Sequence, residues 1–260
     1  MTEICESHDP IRPVPQRRII EKMDAYMSRR DYAAMERHLL YWLEEARLGN
    51  DLRGMLLLRN EQIGHYRKTG EREKAMEAVD AALELVDRLG FQGTLSAGTT
   101  YVNAATCLSA FGQQERALAL FGQARPLYES SAHARPDLLG GLYNNMALAC
   151  AALERYDEAE ALYGRAMEQM ARHPGGALEK AVTCLNLADL AQARDGAEAA
   201  EGRIFGLMER ASALLATEDI PHDGYYAFVC EKCAPTFDYY GWFAEAEQLR
   251  QEAACIYERA

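Results

Sequence analysis

The chain has 260 residues, of which 49% are hydrophobic, which is enough apolar material for a continuous core. Its 28 basic and 40 acidic residues give a formal charge of −12. This charge argues against a nucleic-acid partner or an anionic membrane surface, because both require a basic face. A neutral or basic protein partner is the expectation that remains, although acidic charge also serves solubility alone.

The first fifteen residues contain no apolar run, so they are neither a signal peptide nor a membrane span, and we expect a cytoplasmic protein. Pro10, Pro13 and Pro15 predict an extended, mobile N-terminal segment over residues 1–15. No Gly/Ser-rich linker divides the chain after it. Residues 16–260 are therefore predicted to form a single helical repeat domain.

From residue 16 onward the sequence repeats with a period of about 42 residues. One small or apolar position, here called the anchor, opens the second helical segment of every copy. The six anchors are Met35, Ala75, Ala117, Ala159, Ile204 and Ala246. Alanine follows seven residues later in all copies but the first, and a bulky side chain follows after four residues in all but the last. Small residues recur where helices approach closely, so each copy is predicted to be a helix pair that stacks on its neighbours.

The first helix of each pair lies ahead of the anchor. The predicted ranges are about 17–29, 52–68, 95–110, 137–152, 177–194 and 223–239. Glycine marks most of the turns between the two helices, because it takes left-handed dihedral angles without steric cost. Pro235 is expected to kink or break its helix, and a longer loop is expected between Pro126 and Pro136.

Two copies carry a family pattern most clearly. In one of them, Tyr101, Ala105, Gly112, Ala117, Phe121 and Ala124 follow one another in the order aromatic, small, turn glycine, alanine, bulky, alanine. In the other, the same order without the glycine is formed by Tyr143, Ala147, Ala159, Tyr163 and Ala166. This order resembles the tetratricopeptide repeat (TPR) family, and the long period is similar to the kinesin light chain type of repeat. The resemblance implies an all-α fold, a right-handed α-α superhelix (solenoid) of about six antiparallel helix pairs, and a non-enzymatic scaffold or adaptor that binds proteins or peptides.

No pattern of catalytic or metal-binding residues stands out. Cys230 and Cys233 form a C-x-x-C pair, but a zinc site needs a second pair of ligands, so both are interpreted as core residues. The histidines lack metal-binding spacing, and no nucleotide-binding or hydrolase motif occurs. We therefore expect no catalytic residue, no metal and no cofactor.

The candidate binding residues are asparagines at matching places on the first helices: Asn60, Asn103, Asn144, Asn145 and Asn186. Such amides are able to grip the backbone of an extended peptide in a concave groove, a place that the TPR resemblance also implies. Alternatively, they bond across neighbouring helices and fix the stacking register. Thr99, Thr106 and Asp189 lie near them and are secondary candidates.

Three functions stay open at this stage. The first is the scaffold, and the second is a regulatory sensor that binds a signalling peptide and changes conformation. The third is a homodimer formed through a cluster of aromatic residues between Tyr225 and Phe243, which otherwise closes the core. No basic residue stands beside Asn103, Asn145 or Asn186 on their helices, so recognition of a free carboxyl terminus is not expected.

Overall fold

The computed structural model describes residues 11–130 and 136–259, and every regular element in these two ranges is an α-helix. The twelve helices are α1 (Gln16–Ser28), α2 (Tyr32–Leu48), α3 (Leu52–Thr69), α4 (Arg72–Arg88), α5 (Leu95–Ala110), α6 (Gln114–Glu129), α7 (Pro136–Ala152), α8 (Tyr156–Met170), α9 (Ala177–Asp195), α10 (Ala197–Leu215), α11 (Gly224–Tyr239) and α12 (Phe243–Glu258). The predicted all-α class is confirmed, and the ends of the predicted first helices agree to within about a residue.

Local chemistry explains where several helices begin. The side chains of Asp31, Asp51 and Thr94 accept a hydrogen bond from the backbone N–H three residues later. Asp223 does the same at the start of α11. Such an N-terminal cap stabilises a helix by about 1 kcal/mol, because it satisfies a backbone donor that has no partner inside the helix.

The turns between paired helices reverse the chain within a few residues. Gly70 ends α3 in the left-handed conformation, with a φ of 78°. Arg30 and Glu154 take the same conformation, with φ values of 55° and 59°, in the two turns where the sequence offers no glycine. An ordinary side chain there costs about 1 to 2 kcal/mol, so the packing of the flanking helices must hold these turns.

The predicted stacking pattern is present in the core. All six anchors are buried, with at most 7% of their surface exposed. The alanines seven residues beyond them are also buried: Ala82, Ala124, Ala166, Ala211 and Ala253. Arg250 of α12 stands where earlier copies place a buried bulky side chain, and it is exposed. The small residues therefore lie where the helices approach one another, as predicted.

The chain falls into two compact units, one up to Phe111 and one from Gly112. In the first unit, which holds α1 to α5, first helix α3 contacts first helix α5. In the second unit, which holds α6 to α12, α9 contacts both α7 and α11. First helices of successive copies therefore lie side by side within each unit. The single domain over residues 16–260 stays a prediction.

The helices continue through both internal prolines. Pro126 lies inside α6, and Pro235 lies inside α11. The expectation that Pro235 breaks its helix is wrong, because Pro235 is exposed while Ala234 and Phe237 beside it are buried in one core. Packing on both sides of a proline compensates for the lost backbone hydrogen bond. The predicted loop before Pro136 falls largely on residues 131–135, outside the described residues.

The described part of the N-terminal segment packs against the turn between α2 and α3. The Arg12 N–H donates to the Gly49 carbonyl oxygen at 2.8 Å, and the Val14 N–H donates to Asp51 Oδ2 at 2.9 Å. Val14 is buried. Residues 1–10 lie outside the described residues, so the mobility predicted for residues 1–15 stays a prediction there. Among the helices described, none combines the length and the apolar character needed to cross a bilayer.

Candidate functional site

In the first unit, two asparagines join neighbouring first helices. Asn103 Nδ2 on α5 donates to Asn60 Oδ1 on α3 at 3.0 Å. Asn60 Nδ2 in turn donates to Thr100 Oγ1 at 3.0 Å and to the Leu56 carbonyl oxygen at 2.9 Å. We call the set Asn60, Thr100 and Asn103 the first amide bridge.

The second unit repeats this arrangement between α7 and α9. Asn186 Nδ2 donates to Asn144 Oδ1 at 3.2 Å. The Thr183 hydroxyl shares its proton between the same oxygen, at 3.2 Å, and the Glu179 carbonyl oxygen of its own helix, at 2.8 Å. Asn144 is buried, whereas Asn186 is half-buried. The set Asn144, Thr183 and Asn186 is the second amide bridge.

The structure thus joins four of the five predicted asparagines in two separate pairs. Their hydrogen bonds run between neighbouring first helices, which is the second of the two alternatives given for these residues. Asn145 is half-buried beside Asn144. The Thr99 hydroxyl is exposed and donates to the Leu95 carbonyl oxygen of its own helix. The Thr106 hydroxyl donates to the Val102 carbonyl oxygen in the same way. Their role in binding a partner stays a prediction.

Sequence reasoning missed the two threonines of the bridges. Thr100 precedes Asn103, and Thr183 precedes Asn186, by three residues in both cases. This T-x-x-N spacing places both side chains on one face of a helix. Each threonine–asparagine pair lies about one repeat length after the asparagine that it contacts, which is Asn60 in the first bridge and Asn144 in the second. The shared spacing is the signal that could have revealed both bridges.

A polar stripe runs along α9 from the second bridge. Glu179, Thr183, Asn186 and Asp189 follow one another at intervals of three or four residues, which places them on one side of the helix. Burial raises the pKa of the Glu179 carboxyl, while the charge of Lys232 on α11 opposes the shift. Burial also raises the pKa of Asp189, an otherwise exposed residue whose carboxylate is partly withdrawn from water.

The first unit has a comparable acid. Glu61 follows Asn60 on α3 and is half-buried. Burial raises its pKa, and the negative charge of Asp24 raises it further. In both units, therefore, a first helix holds a carboxylate whose charged form is poorly solvated beside an amide bridge.

The stripe of α9 ends at a cavity of about 410 Å³ between α9 and α11. Its lining is formed by Asp189, Gln192, Ala193, Pro235, Thr236, Tyr239 and Tyr240. The Tyr240 hydroxyl donates to Asp189 Oδ1 at 2.9 Å. Gln192 Nε2 donates to the Tyr239 hydroxyl oxygen at 2.5 Å. The predicted residue Asp189 is thus part of a polar recess with an aromatic wall.

The aromatic cluster between Tyr225 and Phe243 divides between core and surface. Tyr226 and Phe237 are buried, with 3% and 0% of their surface exposed. Tyr225, Phe228, Tyr239 and Phe243 are each at least 44% exposed. The cluster therefore closes the core with some members and offers others to solvent. A homodimer through the exposed members stays a prediction.

The C-x-x-C pair lies in the core. Cys230 and Cys233 are buried on α11 among the apolar residues of the second unit. Burial raises the pKa of Cys230 to about 11 and that of Cys233 to about 12. Such thiols are protonated at neutral pH and behave as small apolar side chains.

Comparisons with known proteins address the fold. No protein-family model and no curated protein matches the sequence. Among solved structures, BtubC (BKLC) from P. vanneervenii is similar with a TM-score of 0.50 and 19% identity, over 94% of this chain and 91% of that one. The TPR-like repeats of a putative kinesin light chain from Podosopora anserina are similar with a TM-score of 0.50 and 19% identity, over 76% and 92% of the two chains.

A third structure, the apo form of the quorum sensor NprR from B. thuringiensis, has 15% identity to this chain and covers 93% of it. Its TM-score of 0.33 is too low for any conclusion about this chain. The helix pairs, the buried anchors and the two structures of higher similarity lead to the same result. The chain has the TPR-like helical repeat fold that its sequence predicts.

Proposed function

We propose that this protein is a non-enzymatic scaffold that binds an extended segment of a partner protein along its first helices. The observation that carries the proposal is the polar stripe of α9, which leads from the second amide bridge to the cavity beside Tyr239 and Tyr240. A stripe of hydrogen-bonding groups beside an aromatic recess suits a peptide, whose backbone needs donors and acceptors and whose side chains need pockets.

The two asparagines of a bridge have different roles in this proposal. Asn144 is buried and accepts two hydrogen bonds, so it holds the helices together. Asn186 is half-buried and uses one N–H in the bridge, which leaves its carbonyl oxygen and its second N–H for a partner. Asn103 has the same position in the first bridge and donates one N–H to Asn60.

The charge of the stripe favours a neutral or basic partner. Glu179 and Asp189 are carboxylates whose pKa burial raises, so their charged forms lack full solvation. A lysine or arginine of the partner would supply positive charge to Asp189 and would add to that of Lys232 at Glu179, whereas a glutamate would add repulsion. Electrostatic complementarity of this kind chiefly selects among partners and speeds association.

The test uses three extended peptides that differ only in carrying lysine, glutamine or glutamate at alternate positions. Binding is measured by fluorescence anisotropy with the full chain at two salt concentrations. We expect affinity to fall from the lysine to the glutamine to the glutamate peptide. Asn186→Ala and Asp189→Asn should each weaken binding of the lysine peptide by about fivefold to tenfold, the equivalent of about 1 to 1.4 kcal/mol.

Glu168→Gln is the matched control, because Glu168 is an exposed acid on second helix α8 of the same unit. It should leave the affinity unchanged, and circular dichroism should show equal helicity for all variants. Equal affinity for the three peptides, or an equal loss in the control, would exclude the stripe as the binding surface.

A further inference from the structure

Three potential metal ligands meet in the first unit, away from the amide bridge. Glu36 lies on α2, His65 lies on α3, and Glu71 immediately precedes α4. One carboxylate oxygen of each glutamate and one ring nitrogen of His65 all lie within 4.8 Å of one another. Two helices and the turn before a third thus bring nitrogen and oxygen donors to a common point.

The burial of His65 distinguishes this cluster from an ordinary group of surface charges. Its side chain is only 2% exposed, and its Nδ1 is buried without a hydrogen-bond partner. A buried polar nitrogen that lacks a partner is unfavourable, by about 1 to 3 kcal/mol. The ring contacts the rings of Tyr32 and Tyr66, with centroid distances of 6.4 Å and 5.2 Å. It is therefore held in place by packing.

A cation already neutralises the two carboxylates. Lys74 Nζ lies 2.7 Å from Glu36 Oε1 and 2.5 Å from Glu71 Oε2. The lysine side chain is 49% exposed, so it can swing into solvent without disturbing the core. The carboxylates thus form a site for positive charge that a movable side chain fills, while His65 makes no bond to that side chain.

We propose that Glu36, His65 and Glu71 bind a divalent transition metal ion, which displaces the ammonium group of Lys74. An imidazole and two carboxylates are donors that Zn²⁺ and its neighbours in the periodic table accept, whereas Ca²⁺ and Mg²⁺ prefer oxygen alone. The neutral imidazole is the form of histidine that binds a metal ion. The site does not depend on the peptide-binding role proposed above.

The experiment is a titration of the full chain with Zn²⁺ by calorimetry and with Co²⁺ by visible absorption. A Cys5→Ser, Cys255→Ser background removes Cys5 and the exposed Cys255 as competing thiols. We expect one Zn²⁺ per chain and much weaker binding of Ca²⁺. His65→Asn and Glu71→Gln should each weaken Zn²⁺ binding by at least about tenfold. Lys74→Met should tighten it by about tenfold, because the competing cation is gone.

His38→Asn is the matched control. His38 also has a buried ring nitrogen without a partner, but its ring neighbours are Tyr26 and Trp42 instead of carboxylates. It should bind Zn²⁺ as the parent does. The Lys74→Met result keeps the test decisive if His65→Asn fails to fold, since a gain in affinity requires folded protein. Equal affinities of the parent, Glu71→Gln and Lys74→Met, or equal binding of Ca²⁺ and Zn²⁺, would overturn the proposal.

Discussion

Both amide bridges join two neighbouring first helices, but their hydrogen bonds run in different directions. In the first unit, Asn60 donates to Thr100 and accepts from Asn103. In the second unit, Asn144 accepts from both Thr183 and Asn186. Threonine and amide groups both donate and accept, so one spacing supports either pattern.

The two bridges also differ in burial. Asn144 is 7% exposed, whereas Asn60 is half-buried and reaches the Leu56 carbonyl oxygen of its own helix as well. A buried polar group loses more when its partner is removed, because water cannot replace the lost bond. Sequence spacing thus determines which residues meet, while burial determines how much each contact stabilises.

The largest effect is expected from removing the central asparagine of each bridge. Asn144→Ala should lower the free energy of unfolding by about 1 to 3 kcal/mol, since Asn186 Nδ2 then loses its acceptor and the Thr183 hydroxyl keeps only the Glu179 carbonyl oxygen of its own helix. Asn60→Ala should cost less, about 0.5 to 1.5 kcal/mol. Urea unfolding followed by circular dichroism measures both, and hydrogen exchange locates the loss at α7 and α9 or at α3 and α5. Equal losses would show that burial does not distinguish the bridges.

A smaller effect is expected from the threonines. Thr100→Val and Thr183→Val keep the shape of the side chain and remove its hydroxyl, which should cost about 1 kcal/mol in each case. Thr99→Val is the control, because Thr99 is exposed and bonds to its own helix. It should change the free energy of unfolding by less than about 0.5 kcal/mol. If Thr100→Val or Thr183→Val changed the free energy of unfolding as little as Thr99→Val, the threonine would not contribute to its bridge, which would then consist of the two asparagines alone.

The smallest effect concerns the half-buried acids Glu61 and Glu179 and depends on pH. The folded-state pKa of Glu61 lies above its ordinary value of 4.5, so the folded chain binds the proton more tightly, and stability is lost as pH rises from 4.5 through that folded pKa. Glu61→Gln should therefore stabilise the protein at pH 7 and leave its stability almost unchanged at pH 4. Unfolding midpoints at the two pH values measure this difference.

Glu179→Gln should show the same sign with a smaller gain. Burial and the charge of Asp137 raise the pKa of Glu179, but the positive charges of Lys232 and His173 oppose them. At Glu61, by contrast, the negative charge of Asp24 adds to the effect of burial and raises the pKa further. A larger gain at pH 7 from Glu179→Gln than from Glu61→Gln would reverse the order that the neighbouring charges predict.

The sequence predicted the helices and the buried stripe because both follow from local periodicity. An anchor such as Ala117 is recognisable without coordinates, since small residues recur at one spacing wherever helices touch. The continuity of α11 through Pro235 was not recognisable in this way. It depends on core packing around Ala234 and Phe237, which local rules for proline do not include.

Local sequence patterns were enough to predict the class of fold, the repeat boundaries and the asparagines at two adjacent positions of the first helices. What those asparagines contact became clear only from the folded chain, as did the meeting of Glu36, His65 and Glu71. The cause is separation along the chain. Helical periodicity is written into neighbouring residues, whereas partners that lie about one repeat apart, or on two helices and the turn before a third, meet only after the apolar stripes have packed.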